Sequence, residues 1–309
     1  MLQYLIILLD DVATSYCHYK SNKVEKRLIS PDDLRAGIIF AMKQNLKIHF
    51  VYPSYELPAE YHEAIEKIDH VKIKPANAVH TADADVLVFN SPDEFIAEKA
   101  ETNREKISIL RMLDLKSIEI AHCVSTRLNI IITDIETYTG EDFDAYKNWL
   151  LELTQIVAEC YRKGKNPKIN LLTDRISLEK MNNCNAGAEN ITLAPNGKFY
   201  VCPAFYYDDE NDSIGAPKSG VDVKNRQLYK LAYAPLCRNC DAFQCKRCVW
   251  LNRKTTLEVN TPSHEQCVTA HIERNASACL LNELKPAGFF KNVDIPAIDY
   301  LDPFEIINQ

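Results

Sequence analysis

Along its first half the chain alternates two hydrophobic rhythms. Short apolar runs at 4–10 (YLIILLD), 47–53 (KIHFVYP), 71–75 (VKIKP), 85–90 (DVLVFN), 107–113 (ISILRML) and 128–135 (LNIIITDI) have the length and branched-residue content of buried strands. Between them lie segments with helical spacing. One at 30–45 carries a start signal, with Ser30 placed to cap, Pro31 at the first helical position and acids behind it. Others run over 58–68 and 141–164, the last closed by Gly164, and KINLLTD (168–174) reads as a final strand. Strand–helix alternation of this kind predicts a parallel α/β sheet or an open (β/α) barrel.

The pattern changes near 175–183. Residues 190–205 read as a hairpin, two alternating runs around Asn196-Gly197. A polar loop containing DDENDS (208–213) follows. A helix is predicted over 263–284, with Ser263 and Gln266 in capping-box positions. The tail from Ala287 mixes apolar and acidic residues and is expected to pack back on the body. Two domains are therefore expected, 1–178 and 179–309.

Composition narrows the function. With 309 residues, 46% hydrophobic and 26% charged, the chain is an ordinary globular protein. Its net charge of -7 argues against nucleic acid as the main partner. The apolar start lacks a basic flank and a cleavage site and ends in Asp10-Asp11, so it reads as a first strand rather than a signal peptide. No later run reaches the length of a membrane span, and a cytoplasmic location is expected.

The eleven cysteines carry the chemistry. Only Cys17, Cys123 and Cys160 precede residue 181. LCRNCDAFQCKRC (236–248) packs Cys237, Cys240, Cys245 and Cys248 into a C-x2-C-x4-C-x2-C pattern. In a reducing compartment such clusters are metal ligands more often than disulfides. Thiolates in close pairs suit zinc or an iron–sulfur cluster, and each site takes four. Cys123, Cys160 and Cys279 sit in or beside apolar elements and read as small buried residues.

Cys184, Gly197, Cys202, the group of four and Cys267 together resemble the SPASM domain, the C-terminal iron–sulfur domain of radical SAM peptide- and protein-modifying enzymes. Seven cysteines, with a glycine five positions before the second, form that family's signature. The family more often has five then three residues in the last two short gaps, where this chain has four then two. The resemblance implies two [4Fe-4S] clusters. Cys184, Cys202 and Cys248 would serve the first, and Cys237, Cys240, Cys245 and Cys267 the second. The first is then one ligand short, with Cys279 or His264 as candidates or an open position. A structural zinc site in a scaffold or peptide-recognition adaptor is the alternative.

The resemblance breaks at the other end. Radical SAM enzymes hold their catalytic cluster through C-x3-C-x2-C after the first strand. Here Cys17, followed by HYK, stands at the last position, but Asp10 and Thr14 occupy the other two. The usual Gly-Gly turn after the second strand is also impossible, because Gly37 is the only glycine before Gly140. Together YLIILLDD, CHYK and the cysteine pattern look most like the CXXX repeat peptide maturase group, with a degenerate radical SAM portion. That resemblance implies a radical SAM-like α/β domain, partly barrel-shaped, followed by a SPASM-like domain. It implies a role in ribosomal peptide modification with a cysteine-rich precursor peptide or a partner protein of that system. S-adenosylmethionine binding is not expected. Asp10 and Asp11 are either functional at the end of a strand or a solvated or helix-capping pair. No P-loop or serine nucleophile elbow occurs.

Overall fold

The computed structural model describes residues 1–101, 106–112, 115, 119–124 and 126–304. Leu113, at the end of one predicted strand, and 305–309, at the end of the tail, lie outside the described residues. In chain order the elements are β1 (Tyr4–Leu8), α1 (Pro31–Lys43), β2 (Lys47–Val51), α2 (Ala59–Ile65), β3 (His70–Pro75) and β4 (Val86–Phe89). Then come α3 (Pro92–Glu101), β5 (Ile107–Met112), β6 (Arg127–Ile132), α4 (Gly140–Arg162), β7 (Lys168–Ile169) and α5 (Asn170–Ser177). The second half adds β8 (Asn190–Leu193), β9 (Phe199–Tyr200), α6 (Pro203–Asp208), α7 (Val249–Thr256) and α8 (His264–Leu284). Among the described residues no helix is long and apolar enough to cross a membrane.

The chain forms two compact units: Met1–Val88 with Cys184–Ala234, and Phe89–Asn183 with Pro235–Gln309. In the first, β1 to β4 pair in chain order and in parallel, and β8 joins β1 in parallel, Tyr4 opposite Asn190. Chain-order parallel pairing with intervening helices is the expected α/β design. Leu5, Ile7, Leu34, Ile38, Phe50 and Leu193 are all buried in its core. Helix α1 starts as predicted: the Asp33 amide donates to Ser30 Oγ at 3.1 Å, with Pro31 next. Gly37 lets α1 approach the sheet, since a Cβ there would lie 2.3 Å from a Leu193 methyl.

In the second unit β5, β6 and β7 run parallel, and α4 and α5 pack on α8. The predicted strand over 168–174 is corrected. It ends after Ile169, and 170–177 is helix. The Asn170 side chain donates to the Ile130 carbonyl at 2.9 Å and accepts from the Ile130 amide at 2.7 Å. Those groups of β6 are thereby satisfied by a side chain, and the backbone is released into a helix.

The hairpin is present but shorter than predicted. Leu193 pairs with Phe199 and Thr192 with Tyr200. Gly197, at φ +75°, donates its amide to the Ala194 carbonyl at 3.0 Å. A Cβ there would be strained and would meet the Asp33 carboxylate at 2.8 Å, which explains the signature glycine physically. The second run stops because Cys202 becomes an N-cap and Pro203 opens α6.

Candidate metal centre

The second unit contains a cavity of about 180 Å³ lined by Cys237, Cys240, Cys245 and Cys267. These are the four thiols that the family resemblance groups together. The first three come from the loop before α7, and the fourth from the first turn of α8. Ser263 fixes that turn by accepting the Gln266 amide at 3.3 Å. The Gln266 side chain does not complete the predicted capping box and bonds Asn252 at 2.8 Å instead. The remaining lining is mainly apolar, including Met181, Leu236, Ala270 and Pro303. The volume is on the scale of the ~150 Å³ cavities that admit a benzene-sized guest.

The donor set can be tested against the implied metal. A tetrahedral zinc ion needs all four sulfurs at about 2.3 Å. Among the described residues, no three or more Cys, His, Asp or Glu side chains converge as ligands of one ion. The four thiols line one cavity, and thiolates of this kind can serve an iron–sulfur cluster as well as zinc. Burial pushes all four thiols up, Cys237 to about 11, so metal binding must displace protons.

The loop is held by the protein itself. Arg274, 1% exposed, grips the Asp241 carboxylate with two bonds of 2.7 and 2.8 Å. Arg175 adds a third at 2.8 Å and stacks on Phe243. Burial pushes the Asp241 carboxyl up, but the two guanidinium groups more than reverse this and hold it at about 2. Gln244 donates to the Ala270 carbonyl at 2.6 Å, tying the loop to α8.

Several groups already face the sulfurs. The Ala242 amide donates to Cys240 Sγ and the Arg247 amide to Cys245 Sγ, both at 3.4 Å. Such bonds favour the thiolate and tune cluster potential. The buried Arg247 side chain hydrogen-bonds the Cys237 thiol, and its charge offsets part of the burial effect. His271 Nε2 lies 3.6 Å from Cys240 Sγ, and burial lowers its pKa. His264, the histidine singled out from the sequence, instead bonds Asp302 at 2.6 Å. His271 stands four residues after Cys267, one helical turn along, and that spacing was the available signal. The tail packs back as expected: Tyr300 and Pro303 line the cavity, and the Leu301 carbonyl meets His271 Nδ1.

Cys184 and Cys202 belong to the first unit, and Cys248 to the second, where it caps α7. Cys202 is the N-cap residue of α6, and its carbonyl accepts the Phe205 amide at 3.2 Å. Burial pushes its thiol up. Cys160 is buried as expected. Cys279 is corrected: it is exposed, on a face of α8 that lines a groove with Lys147 and Leu151. The Cys123 side chain lies outside the described residues.

Asp10 and Asp11 are neither solvated nor helix caps, since both are buried. Asp10 accepts the Tyr55 hydroxyl at 2.8 Å and the Val12 amide at 2.9 Å. Asp11 pairs with Arg27 at 2.9 Å and accepts the Tyr206 hydroxyl. Arg27 also bonds Glu210 at 2.8 Å. Burial and the Asp11 bond hold the Tyr206 phenol well above its usual pKa. Tyr55 comes from the segment after β2, where a radical SAM enzyme would carry its Gly-Gly turn. A tyrosine–carboxylate network therefore fills the ends of β1 and β2.

Solved structures share this fold. No family model and no curated protein matches the chain by sequence. The anaerobic sulfatase-maturating enzyme anSMEcpe with bound AdoMet aligns over 96% of this chain and 97% of its own, at TM-score 0.58 and 12% identity. The native enzyme with AdoMet and the Kp18Cys peptide aligns over 94% and 99%, at TM-score 0.59 and 11% identity. A native form with AdoMet alone gives TM-score 0.61 over 92% and 100%, at 12% identity. The chain thus has the fold of a radical SAM maturase with a SPASM domain, as the cysteine pattern implied.

Proposed function

We propose that this protein is an iron–sulfur component of a ribosomal peptide modification system and does not cleave S-adenosylmethionine. The four-thiol cavity carries this reading: Cys237, Cys240, Cys245 and Cys267 enclose about 180 Å³ in a largely apolar setting. They would hold one [4Fe-4S] cluster, while Cys184, Cys202 and Cys248 would serve a second. Segment 179–309 is then the cluster-bearing part and 1–178 the degenerate radical SAM-like part. When bound, such clusters supply one-electron transfer. The chain's own residues do the rest. Asp241 and its two arginines fix the loop, the Ala242 and Arg247 amides stabilise thiolate charge, and the tail shields the cavity.

Loss of S-adenosylmethionine chemistry is supported by Asp10 and Thr14 at the positions of two required cysteines, and by the commitment of Asp10 to Tyr55. A peptide partner is supported by the peptide-bound neighbours. A cysteine-rich precursor peptide, or a protein of its modification system, is our reading of that partner. A reducing, cytoplasmic setting goes with it, because ligand thiols must stay reduced. Anaerobic purification should give brown protein with roughly eight irons and matching sulfide per chain. Stoichiometric zinc without sulfide would select the scaffold alternative. Incubation with S-adenosylmethionine and a reductant should yield no 5′-deoxyadenosine, and turnover would refute the loss of that chemistry.

A further inference from the structure

We propose that residues 295–302 of the tail form a strap over the four-thiol cavity, held shut by a clasp between His264 and Asp302 and opened to pass metal in and out. The proposal rests on the reading above, in which Cys237, Cys240, Cys245 and Cys267 hold metal.

The strap follows α8 backwards within the second unit. Arg274 donates to the Pro296 carbonyl at 2.6 Å. About one turn nearer the start of the helix, His271 meets the Tyr300 ring edge-on, with centroids 5.4 Å apart, and its Nδ1 bonds the Leu301 carbonyl. About two turns further, at the first residue of α8, His264 Nδ1 bonds the Asp302 carboxylate at 2.6 Å. The same carboxylate accepts the Phe304 amide at 2.9 Å, which fixes its oxygens for the histidine. The strap therefore ends at the turn that also supplies Cys267, and Tyr300 and Pro303 stand in the cavity wall.

This fastening is of a kind that opens locally. Residues 293–302 form no helix or strand, and only Ile295 and Asp302 among them are buried. A segment with few buried contacts and no ladder of backbone hydrogen bonds opens at a free energy well below that of global unfolding. The two buried residues mark the two ends. Ile295, with Arg274 on the next carbonyl, pins the base. Asp302 closes the tip, and its release frees Tyr300 from the wall. There is room for that movement. On its other side the strap lines a groove of about 250 Å³, where Ile298, Tyr300 and Leu301 face Leu151 and Ala276. Tyr300 borders both spaces, so it can leave the cavity wall without displacing packed core.

The test compares the full chain as wild type, His264→Ala, Asp302→Ala, the double variant and Lys285→Ala. Lys285→Ala removes an exposed pair with Asp294 at 3.2 Å, outside the strap, and serves as the control. Hydrogen exchange of 297–302 and metal release to a chelator are timed on anaerobically purified chain. Maleimide labelling of the metal-free full chain is read cysteine by cysteine. Each clasp variant is expected to speed strap exchange, metal release and labelling of the four cavity thiols roughly tenfold, the loss of one hydrogen bond to a charged group. The double variant should go no further than either single one, because both remove the same bond. Cys160, buried on α4, should stay unlabelled throughout, which separates local opening from unfolding. Wild-type rates in both clasp variants would overturn the proposal, as would faster strap exchange without faster thiol labelling. Either result leaves the four-thiol reading standing. A wild-type chain that binds no metal would instead overturn that reading, whatever the labelling shows.

Discussion

Glu273 offers a test of the packing around the centre that does not depend on catalysis. It is buried on α8, accepting the Tyr146 hydroxyl at 2.8 Å and facing the Gln244 amide at 3.4 Å. Burial raises its carboxyl to about 7, against the partial relief from Tyr146, Gln244 and Lys246. In the unfolded chain the same group titrates near 4.3. Between about 4.3 and 7 the folded chain therefore holds a proton that the unfolded chain has lost. Stability falls as pH rises through that window, and the full penalty is present above it. The gap corresponds to about 4 kcal/mol, at 1.36 kcal/mol for each tenfold change. Glutamine keeps an acceptor for Tyr146 and cannot ionise. Glu273→Gln should exceed the wild type by only about 1 kcal/mol at pH 5 and by up to about 4 kcal/mol at pH 8. For a unit of this size that is a shift on the order of 10 °C in melting temperature. Anaerobic melts of the two proteins at pH 5, 6, 7 and 8 would check it. Parallel curves across that range would show that Glu273 does not titrate there and that the cavity wall is wetter than the structure implies.

Other predictions follow from single contacts. Arg247→Gln removes a buried positive charge beside Cys237 and should lower a cluster's reduction potential by on the order of 100 mV, read by redox titration; an unchanged potential would remove Arg247 from the site. Gly197→Ala places a Cβ at φ +75° against Asp33 and should cost about 1–3 kcal/mol in a thermal melt; a neutral effect would refute the reason given for the signature glycine. Deleting 298–309 removes Tyr300 and Pro303 from the cavity wall, so bleaching of the cluster absorbance in air should accelerate several-fold. Equal bleaching rates would assign the shielding elsewhere.

Elements with strong local signals were legible from the chain. Ser30-Pro31 opens α1, the Asp142 carboxylate accepts both the amide and the hydroxyl of Thr139 at the start of α4, and Gly164 follows its end at φ +77°. Helix α3 had a readable signal too, because Ser91 Oγ accepts the Glu94 amide at 3.2 Å while Glu94 returns a bond to Asn90. Other features are decided by tertiary partners. Asn170 stops β7 only because the backbone of Ile130 lies opposite. Asp241 clamps the cysteine loop only because α5 and α8 bring two arginines to it. That Cys237, Cys240 and Cys245 act together was visible in their close spacing, but spacing alone grouped them with Cys248; that Cys267 lines their cavity instead was implied only by the family resemblance. The fate of Asp10 and Asp11 was not, because Tyr55 and Tyr206 reach them from positions 45 and 195 residues away.

The central claim is that these thiols hold iron–sulfur clusters. Metal and acid-labile sulfide analysis of anaerobically purified chain, with electron paramagnetic resonance after reduction, tests it most directly. Roughly eight irons with equal sulfide and reducible four-iron signals are predicted. A colourless protein carrying zinc, or no metal, with no sulfide would contradict it.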